Sequence, residues 1–226
     1  MMRNPGCLSL FLATLVILFL SLIFVDFLDT TLHKLGMSHV GATCALFGIF
    51  IGSFINIPVQ FLRREEEVFN EPNSLYGMGF GVPDMRRARS FTILAVNVGG
   101  CLVPAAIAVM QIVRIIAWGS ETLTVMVAIT LLVTVVTYYL ARPIEGRGIA
   151  MPALIPPVVA AIPSYFFAGS HAPSVAFVAG TIGTLVGADL LHLEDIKRIN
   201  VAVASIGGAG TFDGIVLSGM LAAFLA

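Results

Sequence analysis

Apolar runs long enough to enter a bilayer alternate along this chain with short polar links. The first run, Cys7–Val25, is followed by a polar link from Asp26 to His39 that carries Asp29, His33 and Lys34. Further runs cover residues 40–61, 91–118, 123–140, 149–168, 175–191 and 201–226. A hydrocarbon core of about 30 Å needs about 20 apolar helical residues, so the pattern predicts about seven spans. The first run exceeds the apolar core of about 7–15 residues of a secretory signal, and no small-x-small cleavage site follows it. It therefore reads as a retained helix. The longest hydrophilic stretch, Arg63–Ser90, mixes both charge signs and predicts a solvated loop, with Tyr76, Met78 and Phe80 at the membrane interface. The expected fold is an all-α polytopic transmembrane helix bundle forming one integral membrane domain over residues 1–226.

Three runs carry residues that disturb a plain helix. The fifth holds Pro152, Pro156, Pro157 and Pro163. Proline removes a helix hydrogen bond and crowds the preceding turn, so a kink or broken turn is expected there. The third holds Asn97, Gly99, Gly100 and Pro104, a second potential break. The last holds Gly207, Gly208 and Gly210, followed by Asp213. An unwound segment there makes Thr211–Ala226 a half-helix. Thr211 is then placed to cap it, and Asp213 sits in its first turn, where the helix dipole favours a carboxylate.

Composition agrees with the pattern. Of the residues, 58% are hydrophobic and 11% charged, against about 25% charged in soluble domains. A net charge of −1 without a basic stripe argues against a nucleic-acid partner. With the N-terminus inside, ten of the twelve basic residues fall on inner segments: Arg3, Arg63, Arg64, Arg86, Arg87, Arg89, Arg142, Arg147, Lys197 and Arg198. Lys34 is the outer exception and Arg114 lies within a span, near Trp118, where it is expected to snorkel to the interface. The positive-inside rule then predicts a multi-pass cell-membrane protein with a cytoplasmic N-terminus and an outer C-terminus. Cys7, Cys44 and Cys101 all sit in apolar runs and suit neither zinc nor a disulfide framework.

Asp189 and Asp213 are the chemically informative residues. A carboxylate at membrane depth costs about 2.5–3.5 kcal/mol on insertion scales and marks a functional position. Antiparallel neighbouring spans with a short link bring such positions together once the glycine segment opens. Two facing carboxyls that share a proton activate a water against a peptide bond. The same pair beside a broken helix instead binds Na⁺ or carries H⁺. Both readings stay open, as does a non-enzymatic scaffold. Gly207, Gly208, Gly210, Pro152, Ala153, Leu154, Pro156 and Asn97 are the candidate substrate-contacting positions, through freed backbone groups or the amide side chain. His192, Glu194 and Asp195 lie beside Lys197 and Arg198 and read as a solvated end, not a metal cluster. No cofactor is implied. The expected partners are membrane lipid and a membrane peptide or small ion.

Three strings, GIAMPALIPPVVAAI, VAGTIGTLVGADLLHL and ASIGGAGTFDGIVLSGMLAAFLA, resemble the signatures of a family of prokaryotic polytopic membrane proteins of unknown function. A weaker likeness is to the intramembrane aspartyl proteases of the presenilin, signal-peptide-peptidase and prepilin-peptidase group. That likeness implies that Asp189 and Asp213 form a catalytic dyad, with Pro152-Ala153-Leu154 as a PAL-like string. The segment Gly208–Asp213 is two residues longer than the GxGD motif of that group. Ala188 stands where a tyrosine is usual, and the PAL-like string precedes both aspartates.

Overall fold

The computed structural model describes residues 7–69, 85–144, 148–196 and 201–226, with backbone alone at 7–8, 63–69 and 85–90. Arg3, Tyr76, Met78, Phe80, Glu145, Arg147, Lys197 and Arg198 lie outside the described residues.

Helix dominates. α1 (Cys7–Lys34), α2 (His39–Gly52), α3 (Val103–Trp118), α4 (Ser120–Leu140), α5 (Ile155–Phe167), α6 (Ala172–Thr184), a short α7 (Leu193–Ile196) and α8 (Gly214–Leu225) follow in order. α3 is entered through a π-helical turn, Val98–Leu102, and α6 is extended by another, Leu185–Asp189. With these extensions, four helical stretches among the described residues are long and apolar enough to cross a membrane: Ser9–Lys34, Val98–Trp118, Ser120–Leu140 and Gly169–Ile196. α2, α5 and α8 are apolar but shorter, at 14, 13 and 12 residues. At 1.5 Å per residue each reaches only about 20 Å.

The all-α expectation needs correction at one end of the bundle. β1 (Asn56–Phe69) pairs antiparallel with β2 (Met85–Asn97), and β2 pairs in parallel with β5 (Val203–Ile206). A second small sheet joins β3 (Arg142–Ile144) to β4 (Gly148–Ala150). The second expected span, 40–61, therefore ends as a helix at Gly52, and the third, 91–118, begins as a strand. Phe91–Val96 is a short apolar run, which periodicity alone does not divide between helix and strand. Thr92 and Leu94 face inward on alternate positions, and Thr92 Oγ1 donates to Val201 O at 2.9 Å. Pro58 sits at the register shift between β1 and β2, where a missing N–H is tolerated. The prolines of the fifth run also fall mostly outside the helix interior. Pro152 precedes α5, Pro156 and Pro157 occupy its first turn, and Pro163 alone lies inside.

Helix α6 forms the centre, with Val175–Gly180 wholly buried among α3, α4, α5 and α8. Two sets of contacts identify the two ends of the bundle. At one end Arg114 Nη1 donates to Leu35 O at 2.7 Å, Lys34 Nζ donates to Phe224 O at 2.6 Å, and Trp118 stacks on His171. Arg114 thus ties down the carbonyls of the turn that follows α1, beyond the expected snorkelling. At the other end lie the close of α2, both sheets, the π-helical turns and the start of α8.

Candidate functional site

The last run opens where its glycines stand. β5 leads into a turn with Gly207 at φ 71° and Gly210 at φ 62°, then a 3₁₀ turn over Gly210–Phe212. These positive φ values are disfavoured for side-chain-bearing residues. Asp213 is the N-cap of α8, its Oδ1 accepting from Ile215 N at 3.0 Å and its Oδ2 from Ala209 N at 3.2 Å. Thr211 is not the cap. Its hydroxyl pairs with Ser53 Oγ at 3.0 Å, tying the turn to the end of α2.

Asp189 closes the π-helical turn after α6. That turn lies tight against α4: a side chain on Gly187 would collide with Thr137 Oγ1 and Thr134 O. Thr137 Oγ1 also donates to Gly183 O at 3.1 Å. His192 is buried and not solvated as expected: its Nδ1 donates to Gly187 O at 3.1 Å, and its ring lies on Tyr138.

Two cavities meet at the aspartates. One, of about 320 Å³, is walled by Gly148 and Ile149 of β4, by all of β5, and by Gly208, Ala209, Asp189 and Asp213. The other, of about 270 Å³, is walled by Met151, Ala153, Thr184, Phe212 and the same two aspartates. Ile149 and Ala209 also line both. β4 and β5 are each an edge strand of their sheet among the described residues, and both line the larger cavity.

Of the residues singled out from the sequence, Asp189, Asp213, Gly208 and Ala153 line this space. Gly207 and Gly210 shape the turn behind it. Pro152 and Leu154 are exposed, and Pro156 is buried in the first turn of α5. Asn97 stands outside the cavities and has a supporting place. Its Oδ1 accepts from Gly100 N at 2.7 Å, while its Nδ2 donates to Ser53 O at 2.8 Å and to Asn56 Oδ1 at 3.1 Å. Asn56 Oδ1 also accepts from Ser205 Oγ at 2.6 Å. This network links α2, β1, β2 and β5 beneath the site. Sequence reasoning missed Ser53, Asn56, Ser205 and Thr184. The signal for the first two was a pair of polar residues closing an otherwise apolar run. Among the described residues no group of three or more His, Cys, Asp or Glu side chains is placed to hold a metal ion.

A family model described as "Protein of unknown function (DUF1614)" matches residues 50–225. The chain belongs to this family. No curated protein and no solved structure matches the chain. The DUF1614 region contains both aspartates, both sheets and every cavity-lining residue named above, whereas α1 and most of α2 precede it. The likeness to intramembrane aspartyl proteases therefore rests on the sequence motifs alone.

Proposed function

We propose that this DUF1614 protein is a multi-pass membrane protein whose Asp189 and Asp213 form the catalytic pair of an intramembrane aspartyl hydrolase acting on peptide bonds. The observation that carries the reading is that both aspartates line the same two cavities, beside the edge strands β4 and β5. An extended peptide pairs with strand edges through its main chain, and such a pairing lays its backbone across the carboxyls.

The chemistry follows from two carboxyls that share one proton. The ionised carboxyl takes a proton from a water, whose oxygen attacks the carbonyl carbon. The protonated carboxyl gives its proton to the carbonyl oxygen. Collapse of the resulting gem-diol breaks the C–N bond: the amine leaves with the proton taken from water, and a gem-diol hydroxyl returns its proton to the second carboxyl, which leaves a carboxylic acid and restores the singly protonated pair. The Ala209 and Ile215 amides hold the Asp213 carboxyl in place, so no reorganisation is needed at the moment of attack. Met151 and Ala153, beside and within the PAL-like string, line the smaller cavity with both aspartates, which is consistent with this reading.

The membrane setting is part of the proposal. Irregular backbone at membrane depth is tolerated where it is buried in protein or lines a water-filled cavity. Three half-length helices leave such a space at one end of the bundle. The charge bias of the polar links in the sequence supports a cytoplasmic N-terminus and an outer C-terminus.

The test uses the full chain in proteoliposomes with a quenched-fluorescence peptide carrying an extended segment beside one apolar span. Cleavage by the wild type, lost in Asp189→Asn and in Asp213→Asn, is the expected result. Equal cleavage by wild type and both variants removes the dyad. Aspartate-dependent H⁺ or Na⁺ flux without cleavage selects the coupled-transport reading instead.

A further inference from the structure

The two aspartates hang from two helices that touch. Asp189 closes the π-helical turn after α6, and Asp213 caps α8. A side-chain hydrogen bond joins those helices: Thr184 Oγ1 donates to Ser218 Oγ at 3.1 Å, and both residues are buried. Thr184 stands five residues before Asp189, and Ser218 five residues after Asp213. At 3.6 residues per turn, five residues along an α-helix lie about 140° round from the start. A π-helical turn closes its hydrogen bond between residues i and i+5 instead, which brings Asp189 back to the side of α6 that carries Thr184. Thr184 and both aspartates accordingly line the same smaller cavity.

The bond is not the usual one for a helical threonine. Thr31, Thr130, Thr134 and Thr137 each donate to the carbonyl four residues earlier in their own helix, at 2.7–2.8 Å. Thr184 reaches across to α8 instead. Glycines permit the close approach: a side chain on Gly219 would collide with Thr181 Oγ1, and a Cβ on Gly180 would lie 2.7 Å from Ser218 O. The last turn of α6 is also held from behind. Thr137 Oγ1 donates to Gly183 O at 3.1 Å, and a Cβ on Gly183 would lie 2.7 Å from Val133 Cβ. With α4 fixing one side of that turn, the Thr184–Ser218 bond fixes the other.

We propose that Thr184 and Ser218 are the positioning pair of the site: their hydrogen bond sets how far apart α6 and α8 hold the carboxyls of Asp189 and Asp213, and so whether both reach one water. Neither hydroxyl takes part in the chemical step. A hydrogen bond between apolar helices contributes little to stability, so a purely structural bond here would leave the rate almost untouched. Spacing acts differently, because a displacement of about 1 Å between reacting groups costs about a hundredfold in rate. The inference rests on the hydrolase reading for its effect on rate, whereas the spacing itself requires no cleavage.

The test uses the full chain in proteoliposomes with the quenched-fluorescence peptide. Thr184→Val removes the hydroxyl and keeps the branched shape, while Thr184→Ser keeps the hydroxyl. Ser164→Ala is the control, since Ser164 on α5 is a buried hydroxyl with no hydrogen-bond partner. Thr184→Val and Ser218→Ala are each expected to lower kcat about tenfold to a hundredfold with KM unchanged. The double variant should lose no more than either single one, Thr184→Ser should recover most of the rate, and Ser164→Ala should leave it unchanged. Full activity in Ser218→Ala overturns the proposal, because Thr184 then acts on the cavity directly. A loss in Thr184→Val that Thr184→Ser does not recover overturns it as well. A second readout needs no catalysis. With aspartate labelled with carbon-13 at the side-chain carboxyl, a facing pair titrates in two coupled steps. The interval between those steps is expected to narrow in Thr184→Val and Ser218→Ala and to hold in Ser164→Ala. Among the described residues no other titratable side chain lines either cavity, and the Cys101 thiol, which also interacts with both aspartates, is the same in every variant. Uncoupled titration in the wild type, or an equal interval in every variant, overturns the proposal; cleavage lost in both asparagine variants keeps the hydrolase in that case. A narrowed interval without any cleavage retains the positioning pair and removes the hydrolase.

Discussion

The carbonyl of Gly207 occupies the place that a side chain on Gly100 would take. The reverse also holds: a Cβ on Gly207 would lie 2.6 Å from Gly100 C and 2.7 Å from Cys101 N. Two glycines, one in the π-helical turn before α3 and one in the turn before α8, thus let two backbones touch directly behind the aspartates.

Alanine at Gly207 is the sharpest test of that contact. The φ of 71° costs a side-chain-bearing residue about 1–2 kcal/mol, and overpacking adds about 1–3 kcal/mol. Gly207→Ala and Gly100→Ala should lower the melting temperature in detergent. They should also expose Cys101, buried in the native fold, to maleimide labelling followed by mass spectrometry. Unchanged labelling at Cys101 would show that the two turns separate without consequence.

Asp213 has two roles that substitution can divide. Asparagine is as good an N-cap as aspartate, while alanine forfeits about 0.5–2 kcal/mol of helix stability. Asp213→Asn should therefore keep the cap on Ile215 N, give up the bond from Ala209 N, and lose peptide cleavage. Asp213→Ala should lose cleavage and also lower the unfolding temperature. Retention of cleavage in Asp213→Asn is incompatible with a dyad.

Asn97 and Asn56 should be energetically coupled. Asn97 is fully buried and satisfies Gly100 N, Ser53 O and Asn56 Oδ1 at once. Removing one partner of a buried bond costs about 1–3 kcal/mol. A double-mutant cycle of Asn97→Ala with Asn56→Ala should give a coupling of about 0.5–3 kcal/mol. Strict additivity would mean that the amide–amide bond contributes nothing.

Arg114 should govern how firmly α1 is held. Its guanidinium spans Leu35 O at 2.7 Å and Gly36 O at 3.2 Å, and hydrogen bonds to a charged group contribute about 1.5–3 kcal/mol. Arg114→Leu should raise amide exchange at residues 35–37. Arg114→Lys should recover part of the protection, because a lysine offers no planar fork for two carbonyls.

The apolar helical character of most runs, the opening at Gly207–Gly210 and the two carboxylates that interrupt apolar runs were legible as patterns, since each depends on local residue type. A run without charges seeks hydrocarbon, adjacent glycines favour an open turn, and a lone aspartate in such a run stands out. The role of Asp213 as cap was nearly legible, misplaced by two residues to Thr211 because an N-cap hydroxyl and an N-cap carboxylate look alike in sequence. The strand character of Asn56–Phe69 and Phe91–Asn97 was not legible, because the short apolar run of β2 fits either period and the polar half of the hairpin resembles a loop.

By itself, then, the sequence determined where the chain is apolar, where its backbone opens and which carboxylates interrupt its apolar runs. The tertiary structure alone decided what those features meet. The parallel pairing of Ile93–Val96 with Val203–Ile206, the Gly100–Gly207 contact and the shared lining of two cavities by Asp189 and Asp213 join residues far apart in the chain. Contacts of that kind leave no local period or composition, since their energy is gained only when the separate elements pack together.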